Sequence, residues 1–332
     1  MTTQVSVTPP SPRFRISRHR RLAWGGSGLA CLLSVIGLVL CWLNPSIQAP
    51  LKPGLDFTGG TQIELRRVCQ QTCSPLTAEA VQRQLSAIRL PAQAPGEAPP
   101  RLESAAVQVL DEGHALLLRL PALTAAQSSA VIQGLEPQSG PFEVAGQSIG
   151  TIGPTLGAQL FQSSIISLLV SFAAIALYIT ARYDRVFAFL ALFTLGHDVL
   201  ITCGLFAWLG LLLGIEVDSL FAVSLITVAG YSVTDTVVVF DRIREQRTAL
   251  KHLPVSEQVD VAVDATLTRS LYTSLTTVLT LLGLIFFGGS NLFWFAIALT
   301  TGIVVGSWSS IGVAPTLLPL FAARSAEPAR AD

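Results

Sequence analysis

Six runs of about 20 apolar residues, each long enough to cross a bilayer, decide what this chain can become. They are Leu22–Leu43, Ala158–Ala181, Val186–Leu213, Leu220–Phe240, Leu267–Phe287 and Leu292–Phe321. Inside hydrocarbon every backbone N–H and C=O must find its partner within the chain, so each run is expected as a helix. The third and sixth exceed the minimum length and are expected to tilt or to include an interfacial turn. A chain of 332 residues that is 51% hydrophobic and 13% charged is neither an ordinary soluble protein nor a disordered one. Its mean hydropathy of +0.58 agrees. The 21 basic residues balance the 21 acidic ones, so net charge points to no nucleic-acid partner.

The placement of the basic residues is more informative than their sum. Arg13, Arg15, Arg18, Arg20 and Arg21 precede the first run, and Arg182 and Arg185 separate the second from the third. Arg242, Arg244, Arg247 and Lys251 follow the fourth, and Arg324 and Arg330 follow the sixth. The alternate short loops, Gly214–Ser219 and Gly288–Asn291, carry no Lys or Arg. The positive-inside rule then puts both termini in the cytoplasm. The first run has a basic flank, as a signal peptide does, but its length and the lack of a small-residue cleavage site indicate a retained anchor.

The expected fold class is a polytopic α-helical membrane protein with six transmembrane helices and one small α+β domain on the exported side, between helices 1 and 2. Its parts are a basic N-terminus (1–21), helix 1 (22–43), the exported domain (44–157), a five-helix bundle (158–321) and a cytoplasmic tail (322–332). Within the domain, Thr61–Val68 alternates polar and apolar residues like a half-buried strand. Thr77–Ile88 has helical spacing with Thr77 as cap. Ala105–Leu110 and Ala115–Leu120 flank a hairpin turn at Asp111-Glu112-Gly113-His114, Thr124–Leu135 reads as a second helix, and Phe142–Val144 as the start of a last strand. No catalytic constellation emerges there, and the chain is not expected to be an enzyme, to bind a metal or to use a cofactor. Cys69 and Cys73 lie where a disulfide is permitted, and the sequence leaves that pairing open.

The candidate functional residues lie inside the apolar runs. Asp235 stands six residues before the charged cluster that begins at Asp241, so it is buried ~9 Å inside the boundary. An aspartate at the centre of a span costs roughly 2.5 to 3.5 kcal/mol, so a retained one calls for a partner and a function. Arg269, at the start of the fifth run, enters to a similar depth and is expected to pair with Asp235. Thr273, Thr276 and Thr280 follow Arg269 at helical spacing, as Ser224, Thr227 and Tyr231 precede Asp235. Two such stripes predict a wet seam of Tyr231, Thr273, Thr276 and Thr280 between the fourth and fifth spans. His197 and Asp198, near the middle of the third, add a candidate relay or an interhelical hydrogen bond. Gly302, Gly306, Ser310 and Ala314 recur at every fourth position of the sixth run, a spacing that permits close packing within the chain or against a partner.

Gly54-Leu-Asp-Phe-Thr-Gly-Gly60, Ile152-Gly-Pro-Thr-Leu-Gly157, Gly230-Tyr-Ser-Val-Thr-Asp-Thr236, Val238-Val-Phe-Asp-Arg-Ile-Arg244, Thr266-Leu-Thr-Arg-Ser-Leu-Tyr-Thr-Ser274 and Gly306-Ser-Trp-Ser-Ser310 occur in that order. Together they resemble the SecF family, the smaller subunits of the SecD–SecF complexes of bacterial protein export, over about Leu22 to Leu320. The resemblance implies a proton-driven machine related to the resistance–nodulation–division transporters. It implies pairing with SecD beside the SecY–SecE–SecG channel, action on a translocating preprotein, and an indirect relation to the ATPase SecA. It also implies that Asp56, Phe57, Gly59 and Gly60 belong to a family motif and that Asp235 and Arg269 lie on the proton path. Asp264 stands where the family usually has Asn, and Ser270 where it usually has Thr. An acid at 264 stands to compete for Arg269, and Asp264 is itself, with His197 and Asp198, a further candidate for the proton path.

Three other readings compete. Tyr183-Asp184 is a dipeptide of intramembrane aspartyl proteases, but no Gly-x-Gly-Asp follows on another run. The second is a non-conducting scaffold whose buried charges only fix assembly with SecD. The third is a small-molecule exporter of the same superfamily, whose chains are usually much longer, so that this chain would need a partner in any case.

Overall fold

A computed structural model describes residues 12–69, 75–92, 99–102 and 105–325. In chain order its helices and strands are α1 Arg20–Leu43, α2 Leu55–Thr58, β1 Gly60–Arg66, α3 Ala78–Ala87, β2 Ala106–Leu110, β3 Ala115–Leu120, α4 Ala125–Ser139 and β4 Ser148–Ile152. Then follow α5 Pro154–Arg182, α6 Arg185–Leu213, α7 Ser219–Arg247, α8 Val255–Phe287, α9 Gly289–Trp308 and α10 Ala314–Ser325. Among the described residues six helices are long and apolar enough to span a membrane, α9 and α10 counting as one. This is the six-helix class the apolar runs predict. The boundaries differ mainly at polar ends. α7 runs on to Arg247 and α8 begins at Val255, because i,i+3 charge pairs such as Arg242–Glu245 (2.7 Å) and the turn after Pro254 suit a helix outside hydrocarbon as well as in it.

Two compact units divide the chain, residues 53–163 and the remainder. In the smaller unit the sheet has the order β2-β3-β1-β4, with every neighbouring pair antiparallel. Ile63 pairs with Leu118 and Leu65 with Leu116, and all four are buried against Val81, Leu85, Val131 and Leu135 of α3 and α4. The helix starts are set locally. Thr77 accepts from Ala80 N–H, and Thr124 and Gln127 form a reciprocal capping box. The hairpin at Asp111–His114 forms as its turn residues predict. The last strand does not. Phe142 makes only an isolated bridge to Arg67, and the fourth strand is Ser148–Ile152, whose pattern is exposed except at its end. An edge strand with one weakly buried face carries no period-2 signal to read. Cys69 is disulfide-bonded, while Cys73 lies outside the described residues.

The family-motif residues form a joint inside this unit. Gly59 (φ 70°) and Gly60 (φ 134°) occupy backbone regions that favour glycine. A Cβ on Gly59 would lie 2.9 Å from Pro154 Cα, and one on Gly60 2.6 Å from the Leu120 carbonyl oxygen. Asp56 and Phe57 sit in the short α2 just before them, and Phe57 meets Phe161 of α5 edge-on at 5.5 Å.

In the larger unit α6, α7 and the α9–α10 helix are central. Half or nearly half of each most apolar window is buried, against 6% for α5. Aromatic and aliphatic side chains from these helices and from α8 build the core, with Phe187 and Phe240 in edge contact at 5.0 Å and Val259, Val263 and Leu318 packed around them. Gly302 lies so close to Val228 of α7 that an added Cβ would fall 2.2 Å from its methyl. Gly306 lies against Ser232, so the small-residue stripe packs within the chain.

Between α9 and α10 the helix passes through a π turn, Ser309–Val313, where Ala314 N–H donates to Ser309 O. Pro315 follows directly, and its ring cannot tolerate a normal α-helical carbonyl at residue 311 or donate to it. The wider turn accommodates that defect without ending the helix.

A buried hydroxyl–carboxylate site

The π turn presents Ser309 and Ser310 to two carboxylates on two different helices. Ser310 Oγ donates to Asp235 of α7 in a very short hydrogen bond, and Ser270 Oγ of α8 donates to the other oxygen at 2.7 Å. Asp235 is 7% exposed. Ser309 Oγ donates to Asp198 Oδ2 of α6 at 2.8 Å, as does Ser232 Oγ of α7 at 2.5 Å. His197 Nδ1 faces Asp198 Oδ1 at 2.8 Å, and Asp198 is fully buried. One turn away, Tyr231 OH meets Ser274 Oγ at 2.9 Å, and Ser274 is bonded in turn to Ser307. The two acids are thus linked through adjacent serines of one distorted turn. Each has oxygens satisfied by hydroxyl donors, the condition under which a buried carboxylate is tolerated.

Of the residues singled out from sequence, the structure gathers Asp235, Tyr231, His197 and Asp198 into this network. Arg269 is not in it. No ion pair joins Arg269 to Asp235 among the described residues, and the Arg269 side chain is exposed. Successive helical residues point about 100° apart, so with Ser270 facing Asp235 its neighbour must turn away. The same offset corrects the predicted seam. Thr273, Thr276 and Thr280 share the face of Arg269, are exposed in this chain, and donate to Arg269 O, Tyr272 O and Thr276 O of their own helix. The inward face of α8 is Ser270 and Ser274 instead.

Asp264 does not compete for Arg269 either. Its oxygens accept from Arg13 N–H (3.3 Å) and Phe14 N–H (3.0 Å), while Asp260, one turn earlier, accepts from Ser17 N–H (2.9 Å) and Ser17 Oγ (2.5 Å). Two acids at i, i+4 would repel, and the arm before α1 supplies donors to both.

Arg269 lines an open cleft of about 730 Å³ with Arg182, Asp241, Arg242, Arg244 and Glu245. Asp241 bridges Arg182 and Arg244, each at 3.8 Å, and both guanidiniums lie over the ring of Tyr183. Burial first, and then the nearby Asp241 carboxylate, push the Tyr183 hydroxyl up to about 12. Val238 and Thr266 also line the cleft. They lie one helical turn from Asp235 and Ser270, so the polar cleft ends about a turn short of the buried acid. Among the described residues no group of three or more His, Cys, Asp or Glu could hold a metal ion.

The serines were the part sequence reasoning missed. Ser270 and Ser274 at i, i+4, and Ser307, Ser309 and Ser310 near a proline, were the available signal. Serine in apolar helices usually bonds its own i−4 carbonyl, which hides those that also reach a partner.

Six spans enclosing bonded acids, with a small α+β unit between the first two, define a multi-pass membrane protein. The family described as protein export membrane protein SecD/SecF, C-terminal, matches residues 135–324, and the SecD/SecF GG motif matches residues 47–70. Protein translocase subunit SecF of Prochlorococcus marinus is 52% identical over 92% of this chain and 95% of its own. Its counterpart in Synechocystis is 39% identical over 92% and 93%. The crystal structure of SecDF, a translocon-associated membrane protein from Thermus thermophilus, superposes with a TM-score of 0.75 at 30% identity. That match covers 95% of this chain and 39% of the SecDF chain. The chain belongs to the SecF family of protein translocase subunits.

Proposed function

We propose that this chain is the subunit that couples proton entry to preprotein export, acting with SecD beside the SecY–SecE–SecG channel and downstream of SecA. The Arg-rich helix ends face the cytoplasm and the α+β unit faces the exported side, in a cell (inner) membrane. The SecDF relatives carry both halves in one polypeptide, which supports SecD as the direct partner. The observation that carries the reading is Asp235, a buried carboxylate held by hydroxyls from two other helices, one turn from a polar cleft.

Protons enter through the cleft past Arg269 and reach Asp235. A hydrogen bond to a charged acceptor contributes about 1.5–3 kcal/mol against about 0.5–1.5 for a neutral one. Neutralising Asp235 therefore weakens its grip on Ser270 and Ser310 by ~2 kcal/mol in all, comparable to the ~2.3 kcal/mol that one charge gains crossing 100 mV. That release frees α8 and the π turn from α7. The motion passes to the exported unit, which holds the emerging chain against backsliding. Asp198 and His197 share the π turn through Ser309, so they sense the same movement.

The test is preprotein translocation into inverted vesicles containing SecD, the channel and this chain, with and without a proton gradient after ATP is exhausted. Completion stimulated by the gradient in the wild type but not in Asp235→Asn is the expected result. Equal stimulation of both would make the buried acids a scaffold that only fixes assembly.

A further inference from the structure

The cleft that Arg269 lines gathers more positive charge than its own acids neutralise. Four guanidiniums face it, from Arg182 at the end of α5, Arg242 and Arg244 of α7, and Arg269 of α8, against the two carboxylates Asp241 and Glu245. Glu245 is committed to Arg242 at 2.7 Å. Asp241 is shared by Arg182 and Arg244, each at 3.8 Å, well beyond the roughly 2.7–2.9 Å of a charge-assisted hydrogen bond. Those two guanidiniums also share the ring of Tyr183, so like charges are held side by side. Among the described residues Arg269 makes no ion pair, and the side chains of Arg182, Arg244 and Arg269 donate no hydrogen bond. Three forks of N–H donors thus converge on one cleft with a single, loosely held carboxylate between them.

The depth of the cleft selects among anions. Arg182 is the last residue of α5 and Arg269 lies at the start of the fifth apolar run, so the cleft sits at the level of lipid headgroups. One helical turn further into the spans, on the faces of Arg182, Val238 and Arg269, stand Tyr178, Thr234, Tyr272 and Thr273, all exposed. Tyrosine rings are at home in the membrane–water interface, where glycerol and ester groups lie. Deeper on α8, Leu275 and Leu279 are exposed at acyl-chain depth. A soluble anion uses only the guanidiniums, whereas a phospholipid uses the whole surface. Guanidiniums match phosphate oxygens in two-point geometry, and basic pockets between spans hold anionic headgroups in other membrane proteins.

We propose that this cleft is a binding site for the phosphate of an anionic phospholipid, a phosphodiester whose headgroup carries no compensating cation, with Arg269, Arg182 and Arg244 around the phosphate. The bound phosphate holds Arg269 on the cleft side of α8 and leaves Asp235 to its serine donors. The binding site itself does not depend on the export reading.

The probe is dioleoyl phosphatidylglycerol, with dioleoyl phosphatidylcholine as the matched lipid of no net charge. Each is titrated onto the delipidated full chain in a neutral detergent and read by native mass spectrometry. The two uncompensated arginines predict a preference for phosphatidylglycerol of about tenfold or more. Arg269 is exposed and makes no ion pair, so Arg269→Gln should spare the fold, weaken phosphatidylglycerol about fivefold and leave phosphatidylcholine unchanged. Glu245→Gln releases Arg242 and should tighten phosphatidylglycerol by a similar factor, a gain that no loss of fold can imitate. Arg15→Gln, exposed on the arm before α1 and outside the cleft, should change neither lipid. Equal affinity for the two lipids would overturn the proposal, and so would an equal loss in Arg15→Gln, which would mean diffuse attraction rather than a site. Full displacement of the lipid by inorganic phosphate would assign the cleft to a soluble anion and overturn the lipid. Loss of the preference when SecD is bound would make the cleft a subunit contact and overturn it too. These readouts need no translocation, so they fail or succeed independently of proton coupling.

Discussion

Removing the Ser270 hydroxyl isolates the bond that distinguishes a held carboxylate from a merely buried one. Ser270 Oγ lies 2.7 Å from Asp235 Oδ1, and the serine is almost fully buried, so water cannot replace the donor. Hydrogen bonds between helices in membranes average about 0.6 kcal/mol in double-mutant cycles, whereas a bond to a charged acceptor is worth about 1.5–3 kcal/mol. Ser270→Ala also gains roughly 0.5 kcal/mol of helix propensity, which masks part of the loss in the single variant. The cycle cancels that gain. Measured in the wild type and in Asp235→Leu by reversible unfolding in mixed micelles, Ser270→Ala should show a coupling near 1.5 kcal/mol or above. Ser270→Thr keeps the hydroxyl and should retain most of the coupling. A value under about 0.5 kcal/mol would mean that Asp235 is not held as a charged acceptor, and the release step would lose its energy source.

Other perturbations test neighbouring parts. Gly302→Ala drives a Cβ to within 2.2 Å of Val228 and should destabilise the bundle by about 1–3 kcal/mol in the same unfolding assay. Thr276→Val, on the exposed face of α8, should change the stability of the isolated chain by less than about 0.5 kcal/mol, and a larger loss would return that face to the seam. Replacing Asp260 and Asp264 together by Ala removes the acceptors for Ser17, Arg13 and Phe14, so trypsin should cleave at Arg13, Arg15 and Arg18 about tenfold faster or more, as expected for losing a little over 1 kcal/mol of local stability. Tyr183 holds its proton more tightly in the fold than in the unfolded chain, where a tyrosine titrates near 10. Its contribution to stability is therefore complete below pH ~10 and lost as pH rises toward about 12, a dependence that Tyr183→Phe should remove from alkaline unfolding curves.

How far the sequence carries the account depends on the kind of signal. The six spans were legible because apolar length is a property of each run alone. Thr77 declared its helix because capping is local, while β4 left no trace because an exposed edge strand has no alternating face. Asp235 stood out because hydrocarbon makes an aspartate expensive wherever it points. Its partner did not, since depth cannot tell Arg269 from Ser270. Those neighbours differ by one residue in sequence and point about 100° apart around α8. The π turn was hidden for a related reason. Pro315 announces a defect, but only the packing of α6 and α7 against it reveals that the widened turn aims Ser309 at one acid and Ser310 at the other.

The central claim is that Asp235 gains and loses a proton within its serine cradle. Infrared difference spectroscopy of the full chain in nanodiscs reads this directly, comparing wild type with Asp235→Asn as pH is stepped from alkaline to acid. The account predicts a protonated-carboxyl band that appears on acidification, is missing in Asp235→Asn and moves in frequency in Ser310→Ala. A spectrum in which wild type and Asp235→Asn are indistinguishable at every pH would contradict it.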